Sequence, residues 1–459
     1  MVLSKKKIFE EKEKAKKLSI IEGSAYAVSE SFGLRNVGPY ALALNVSNNV
    51  IALLSSLPSL LGNFSQLFTY KFLTKMSRKK FVSLMVFLQA VFWLILLIPA
   101  LIFIKNKESV QTTSFLLILF YTLLIVFGAL AGPVWVSWMR DLVDKKELGK
   151  YFAKRSRIIN IVLLLSLILV GPILDFFKKT NVLYGFFILF FFSFVFRMIS
   201  AYLLTKKYEP FYKQEEKHFF SFPKFLDNIL LNNFGRFVVL VMLVNFSVSI
   251  AGPFFVVYLL KEKLISYSQY MMSIILFILS SILFISLWGK ISDKKGNKFI
   301  FNLTLPFISL IPLFYFLSNF FHNKILFLSI IYLNEIISGF AWSGFNLATT
   351  NFLIKNTSKE KTAICSSYLN ILSGIAIFLG ASFGGFIASL NIKNPILIVF
   401  IVSFIGRLIP LISVLPKIKE NPQKSSYKEG FFSTIFSLNQ KFTFFETFIK
   451  RKNKLYFNS

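Results

Sequence analysis

Between residues 18 and 416 the chain returns repeatedly to apolar stretches of about twenty residues, separated mostly by short polar loops. A helix needs roughly 20 such residues to cross the hydrocarbon of a bilayer. Within lipid, only helices and closed barrels satisfy their own backbone N–H and C=O groups. Twelve stretches can be marked, at about 18–43, 48–70, 81–104, 114–139, 159–177, 182–205, 237–260, 268–289, 299–319, 325–349, 363–390 and 395–416. Composition agrees, since 16% of the 459 residues are charged where a soluble chain carries about a quarter. The mean hydropathy is +0.65. The expected fold class is an all-α membrane protein.

A net charge of +31 could point to nucleic acid, but its distribution argues for topology instead. With the N-terminus placed in the cytoplasm, the inner segments hold 41 Lys and Arg and the outer loops 8, while Arg35, Arg197 and Arg407 lie within spans. That bias is the positive-inside pattern. It also checks the count, because one missed span would scramble the alternation. The expectation is a multi-pass plasma-membrane protein with both termini cytoplasmic, the lipid bilayer as its partner and no nucleic acid. The charged N-terminal segment, residues 1–17, lacks the form of a signal peptide and is expected to stay attached. With Cys365 alone, no disulfide within the chain and no cysteine-based metal site can form.

The exception among the short loops is 206–236, polar and basic, which splits the chain into halves at 18–205 and 237–416. Its stretch from Phe222 to Phe237 suggests a short amphipathic helix on the membrane surface. The basic and aromatic tail, 417–459, suggests an interfacial helix. The halves echo each other: Ser193-Phe194-Val195-Phe196-Arg197 recurs as Ser403-Phe404-Ile405-Gly406-Arg407, and Asn160-Ile161 as Asn370-Ile371. Asp141 falls opposite Asn351 at the same spacing, and Gly38-Pro39-Tyr40 matches Gly252-Pro253-Phe254. A parallel duplication follows, giving two pseudo-symmetric six-helix bundles with a substrate site between them near the midplane.

The loop between spans eight and nine reads Trp288-Gly289-Lys290-Ile291-Ser292-Asp293-Lys294-Lys295-Gly296-Asn297-Lys298. It resembles the G-x-x-x-D-[RK]-x-G-[RK]-[RK] signature of the major facilitator superfamily, with Gly289, Asp293, Lys294, Gly296 and Lys298 matching. The corresponding loop of the first half, Lys71 to Lys80, keeps its charge but lacks the Asp and the glycines. A second resemblance lies at Trp138-Met139-Arg140-Asp141-Leu142-Val143, followed by Gly149-Lys150-Tyr151-Phe152. The resemblance implies a secondary transporter whose spans one, four, seven and ten line a central cavity. It also implies that the signature loop and Asp141 form a gating latch rather than a substrate contact. These motifs are silent on substrate.

Ionisable groups within spans are costly and are functional candidates. In span one, Glu22, Tyr26, Ser29, Gly33, Asn36 and Tyr40 share one helical stripe, with Glu30 at its edge. Span ten offers Glu335, Ser338, Trp342, Asn346 and Thr349, span seven offers Asn245, and span four offers Trp135 and Trp138. The substrate or proton pathway is therefore expected among Glu335, Glu30, Tyr26, Asn36, Asn245, Trp342, Asn346 and Trp135. Glu335 leads, because burial disfavours the charged carboxylate and so suits it to proton exchange; a structural hydrogen bond to a neighbouring helix is the alternative. Arg197 and Arg407 are expected as peripheral supports, snorkelling or held in structural ion pairs. Gly380 to Gly384 reads as close helix packing. Gly171-Pro172 is a faint echo of an antiporter motif.

No phosphate-binding loop, H-E-x-x-H or G-x-S-x-G occurs, so neither an enzyme nor a bound cofactor is expected. The functional expectation is a monomeric secondary transporter of a small-molecule substrate, working by alternating access with protons as a candidate coupling ion. A membrane-embedded enzyme, a lipid-handling protein and a non-transporting receptor on the same fold are the alternatives.

Overall fold

The computed structural model describes residues 5–69, 73, 75–107, 109–144, 147–211, 229, 232–357 and 362–420. Among the described residues there are twelve long helices: α1 (Lys5–Phe32), α2 (Asn48–Ser65), α3 (Arg78–Ile95), α4 (Val110–Leu142), α5 (Leu148–Lys178), α6 (Val182–Lys206), α7 (Asn233–Ala251), α8 (Tyr267–Lys295), α9 (Asn297–Ser318), α10 (Lys324–Lys355), α11 (Thr362–Ala388) and α12 (Pro395–Ser413). Local chemistry sets many of their starts. Side chains of Ser47, Ser77, Asn181, Asn232, Ser266 and Asn323 accept hydrogen bonds from the first-turn amides that follow them. Of the expected surface helix at 222–237, Asn233 to Phe237 belong to α7. Residues 222–228 and the tail beyond Glu420 lie outside the described residues.

Among the described residues, eleven helical segments are long and apolar enough to span a bilayer. The first falls short on composition because α1 carries Lys16, Lys17, Glu22 and Glu30. It also breaks at Gly33, passes through a 3-10 turn at Leu34–Asn36 and resumes as Val37–Ala43. The Asn36 amide caps the break, donating to the carbonyls of Ser31 and Phe32 at 2.8 and 2.9 Å. The belt facing outward is oily: Phe115, Phe176, Leu283 and Ile412 are each more than 60% exposed. Such a surface suits lipid rather than water.

In the first bundle α1 packs on α5 and α6, α3 on α4 and α6, and α2 on α4. In the second, α7 packs on α11 and α12, α10 on α8 and α9, and α9 on α12. Gly380 and Gly384 lie directly against the backbone carbonyls of Phe246 and Ile250, where any Cβ would collide, so this stretch is the close packing its sequence suggested. The Ser-Arg echo performs one task twice. Ser193 and Ser403 each donate to a backbone carbonyl of the first helix of their own bundle, Ser29 at 3.2 Å and Ser247 at 2.7 Å respectively.

The bundles meet through α2 against α11 and α5 against α8. On the side opposite the chain termini they are shut. There the Asp175 carboxylate of α5 accepts from the Tyr267 amide at 2.7 Å, the Ser268 amide at 2.9 Å and the Ser268 hydroxyl at 2.5 Å, capping α8 from the other bundle. Asn48 donates to the Ala388 carbonyl at 2.7 Å, and Gly38 faces Val256. On the terminal side most polar contacts close each bundle on itself, as Lys16 with Glu147, Arg78 with Asp141, Asn233 with Lys419 and Asn297 with Glu420 do, while Asn63 of α2 donates across to the Asn370 carbonyl of α11 at 3.4 Å.

Candidate functional site

Near mid-span, polar groups from both bundles converge. Arg35 and Glu30 form an ion pair of 2.8 Å across the break in α1. In an unbroken helix, residues five apart point about 140° from each other, so the turn at Leu34–Asn36 is what lets them meet. In the second bundle Glu335 of α10 accepts a hydrogen bond from the Tyr315 hydroxyl of α9 at 2.6 Å. Tyr270 of α8 lies within electrostatic reach of both Glu335 and Arg35, which links the two groups across the interface. Tyr121 of α4 lies likewise near Tyr26 and Arg35.

A cavity of about 450 Å³ opens within the first bundle. It runs from Leu34, Gln89 and Ile125 near mid-span toward Glu22, Trp135, Arg155 and Leu204 nearer the terminal side. Arg197 stacks over the Tyr26 ring at 4.5 Å and donates from Nε to Gln89 Oε1 at 2.7 Å and from Nη1 to the Ser200 hydroxyl at 3.3 Å. Arg155 lies 4.5 Å over the Trp135 ring, and its Nη2 stands 3.7 Å from Glu22 Oε2. Behind this wall sits Lys207, fully buried, its ammonium 4.7 Å from the Trp138 ring and 3.5 Å from Met139 Sδ. Burial pushes that ammonium down to about 8, against the opposing pull of the Glu22 carboxylate.

The expected pathway residues divide accordingly. Tyr26 and Trp135 line the cavity, and Glu30 and Glu335 belong to the mid-span constellation. Glu335 also makes the inter-helix hydrogen bond that its structural alternative called for. Trp342 packs edge-on against Phe345, Asn346 is exposed, and Asn245 is half-buried. The stripe on α1 does not all face one space. Ser29 bonds to α6, Tyr40 donates to the Leu96 carbonyl, and Asn36 is fully buried as a cap, so these three are absent from the cavity wall. Trp138 is likewise buried and donates to the Tyr208 carbonyl. Arg197 corrects another expectation: it neither snorkels nor pairs with a carboxylate, but turns inward over Tyr26. Arg407 is solvated by the Ser403 hydroxyl and the Ile308 carbonyl.

In the signature loop, Gly289 faces open space and Asp293 is exposed. Gly296 adopts a φ of 81° with the Glu420 carboxylate packed against it. The amide of Lys298 donates to that carboxylate at 2.5 Å, and Lys294 is exposed. The first bundle holds a counterpart in which Arg78 meets Asp141 at 2.6 Å and Glu209 at 3.6 Å. A glutamate just past α6 or α12 thus grips the start of α3 or α9. Lys206 to Glu209 and Lys417 to Glu420 share that spacing in the sequence.

The sequence profile of the Major Facilitator Superfamily matches residues 24–381. The chain belongs to the Major Facilitator Superfamily. Solved structures carry the same fold. A mutant of the nucleoside transporter NupG superposes with a TM-score of 0.68 at 15% identity, covering 88% of this chain and 100% of that one. A bacterial homologue of the iron transporter ferroportin in its inward-facing state gives 0.66 at 13% identity, covering 91% and 100%. In its outward-facing state, with soaked iron, that homologue gives 0.57 at 14% identity, covering 88% and 99%. At these identities the likeness speaks for the fold alone. No curated protein matches by sequence. As a Major Facilitator member the chain is a multi-pass membrane transporter of the secondary class, and its cargo is a small molecule.

Proposed function

We propose that this transporter works by alternating access, its two bundles rocking about the mid-span constellation, with Glu335 carrying the exchangeable proton of a proton-coupled cycle. The observation that carries the proposal is the asymmetry of closure. Asp175, Asn48 and Gly38 seal one side, whereas Asp293 and Gly289 of the signature loop stand open on the other. The bias of 41 basic residues to 8 supports a plasma-membrane orientation with cytoplasmic termini, in which this conformation faces inward. The better superposition on the inward-facing ferroportin homologue accords with that orientation. Glu335 suits proton exchange because, among the described residues, its only hydrogen-bond partner is the neutral Tyr315 hydroxyl and no cation pairs with it.

The test begins with a ligand-stabilisation screen, since a bound solute raises apparent stability. Flux of the identified solute is then followed in proteoliposomes under an imposed pH gradient. Glu335→Gln should abolish gradient-driven accumulation and retain solute-driven counterflow. Full gradient-driven accumulation by the variant would remove Glu335 from the coupling.

A further inference from the structure

The cavity within the first bundle has a charge imbalance that its own residues do not resolve. Its charged lining consists of two cations, Arg155 and Arg197, and one carboxylate, Glu22. That carboxylate is already engaged, one oxygen accepting from Ser200 at 3.0 Å and the other facing Arg155. Lys207, buried behind Trp135 and Trp138, adds a third cation. An unneutralised charge in so dry a place costs several kcal/mol, and in a membrane protein it marks a functional site. Arg197 is 7% exposed and uses Nε and Nη1 on Gln89 and Ser200, while its Nη2 has no hydrogen-bond partner among the described residues. The side chain lines the cavity. Apart from Gln89, the rest of the wall is apolar or aromatic: Tyr26 and Trp135, with Leu34, Val82, Val86 and Leu204 among others. At about 450 Å³ the space is of ligand size.

We propose that this cavity binds a small organic anion, its acidic group held by Arg197 and Arg155 and its apolar body lying between Tyr26 and Trp135. A guanidinium presents a planar fork that matches carboxylate and phosphate oxygens alike, so either acidic group satisfies the anchors. The aromatic wall selects for an organic body. The inference deepens the transporter reading by giving its cargo a charge and a shape, and it rests on that reading.

The experiment uses the purified full-length protein in detergent, with thermal unfolding as the readout. Naphthoate, the neutral naphthamide and inorganic phosphate are the probes. Naphthoate should raise the midpoint progressively with concentration, and naphthamide should do so at least tenfold more weakly. Phosphate should fall below naphthoate for lack of a body; phosphate stabilisation equal to naphthoate's overturns the organic part of the proposal. Arg197→Gln should weaken naphthoate at least tenfold. Gly132→Leu supplies a second variant independent of the buried arginine. Gly132 lines the cavity with no heavy atom within 4 Å of its Cβ position, so a side chain added there starts in open space and extends into the volume the ligand would take. It should abolish the naphthoate shift while leaving the unliganded midpoint near that of the parent. Equal stabilisation by naphthoate and naphthamide, or an unchanged naphthoate shift in both variants, overturns the proposal. This readout involves no flux, so its failure removes the anion site and leaves alternating access to be judged by transport and distance measurements.

Discussion

Replacing Asp175 by Asn should loosen the sealed side of the transporter. Both oxygens of this carboxylate engage the start of α8, one accepting from Tyr267 at 2.7 Å and the other from the amide and hydroxyl of Ser268 at 2.9 and 2.5 Å. Asp175 belongs to the first bundle and its partners to the second, so these bonds exist only while that side is shut. An asparagine keeps one acceptor oxygen and loses the charge. Hydrogen bonds to charged groups contribute about 1.5–3 kcal/mol, and a negative charge at a helix N-terminus adds roughly 0.3–1 kcal/mol. The site is half-buried, so a net loss of about 2 kcal/mol is reasonable, equivalent to roughly a 30-fold shift toward the open form. Val256 faces Gly38 on the same sealed side. In a Cys365→Ser background, Val256→Cys should react with a maleimide at a rate proportional to the open population. Adding Asp175→Asn should raise that rate about 30-fold. A rate within threefold of the parent would show that the carboxylate does not hold the bundles together.

Two further outcomes follow from the packing. Lys207 titrates near 8 when folded and near 10.5 when unfolded, so between those values the unfolded chain binds more protons and stability rises with pH. The full difference corresponds to about 3 kcal/mol, lost as pH falls from 10.5 to 8. In chemical-denaturation curves Lys207→Met should remove that slope relative to the parent, and parallel pH profiles would refute the burial argument. Gly384→Ala drives a methyl group into the Ile250 carbonyl and should cost about 2 kcal/mol, read as a lowered unfolding midpoint; an unchanged midpoint would mean that α7 and α11 are not held in close contact.

Much of the architecture was legible because membrane folding writes itself in composition. Apolar length located the helices, and the Ser193 and Ser403 echo turned out to be one contact made twice. The site was less legible, for reasons that particular residues explain. The 100° stripe on α1 presumed an unbroken helix, and the turn after Gly33 sent Asn36 and Tyr40 into the protein while bringing Arg35 onto Glu30. Arg197 and Gln89 meet although 108 positions apart, a pairing that no local pattern announces. Asp175 carries no sequence signal of its contact, because that contact depends on a helix start in the other bundle. Where a feature rested on local spacing, as with the turn at Gly296, whose φ is 81°, the sequence announced it. Where it rested on which helix faces which, only three-dimensional packing could supply it.

Alternating access is tested most directly by measuring both faces at once. Spin labels at Lys107→Cys and Lys393→Cys, exposed in opposite bundles on the sealed side, report its width; labels at Lys150→Cys and Lys355→Cys do the same for the terminal side. In lipid nanodiscs, with Cys365→Ser, each pair should give two distance populations. Asp175→Asn should lengthen the first pair and shorten the second in equal proportion. A single unchanging distance at both faces, or two faces that widen together, would contradict the account.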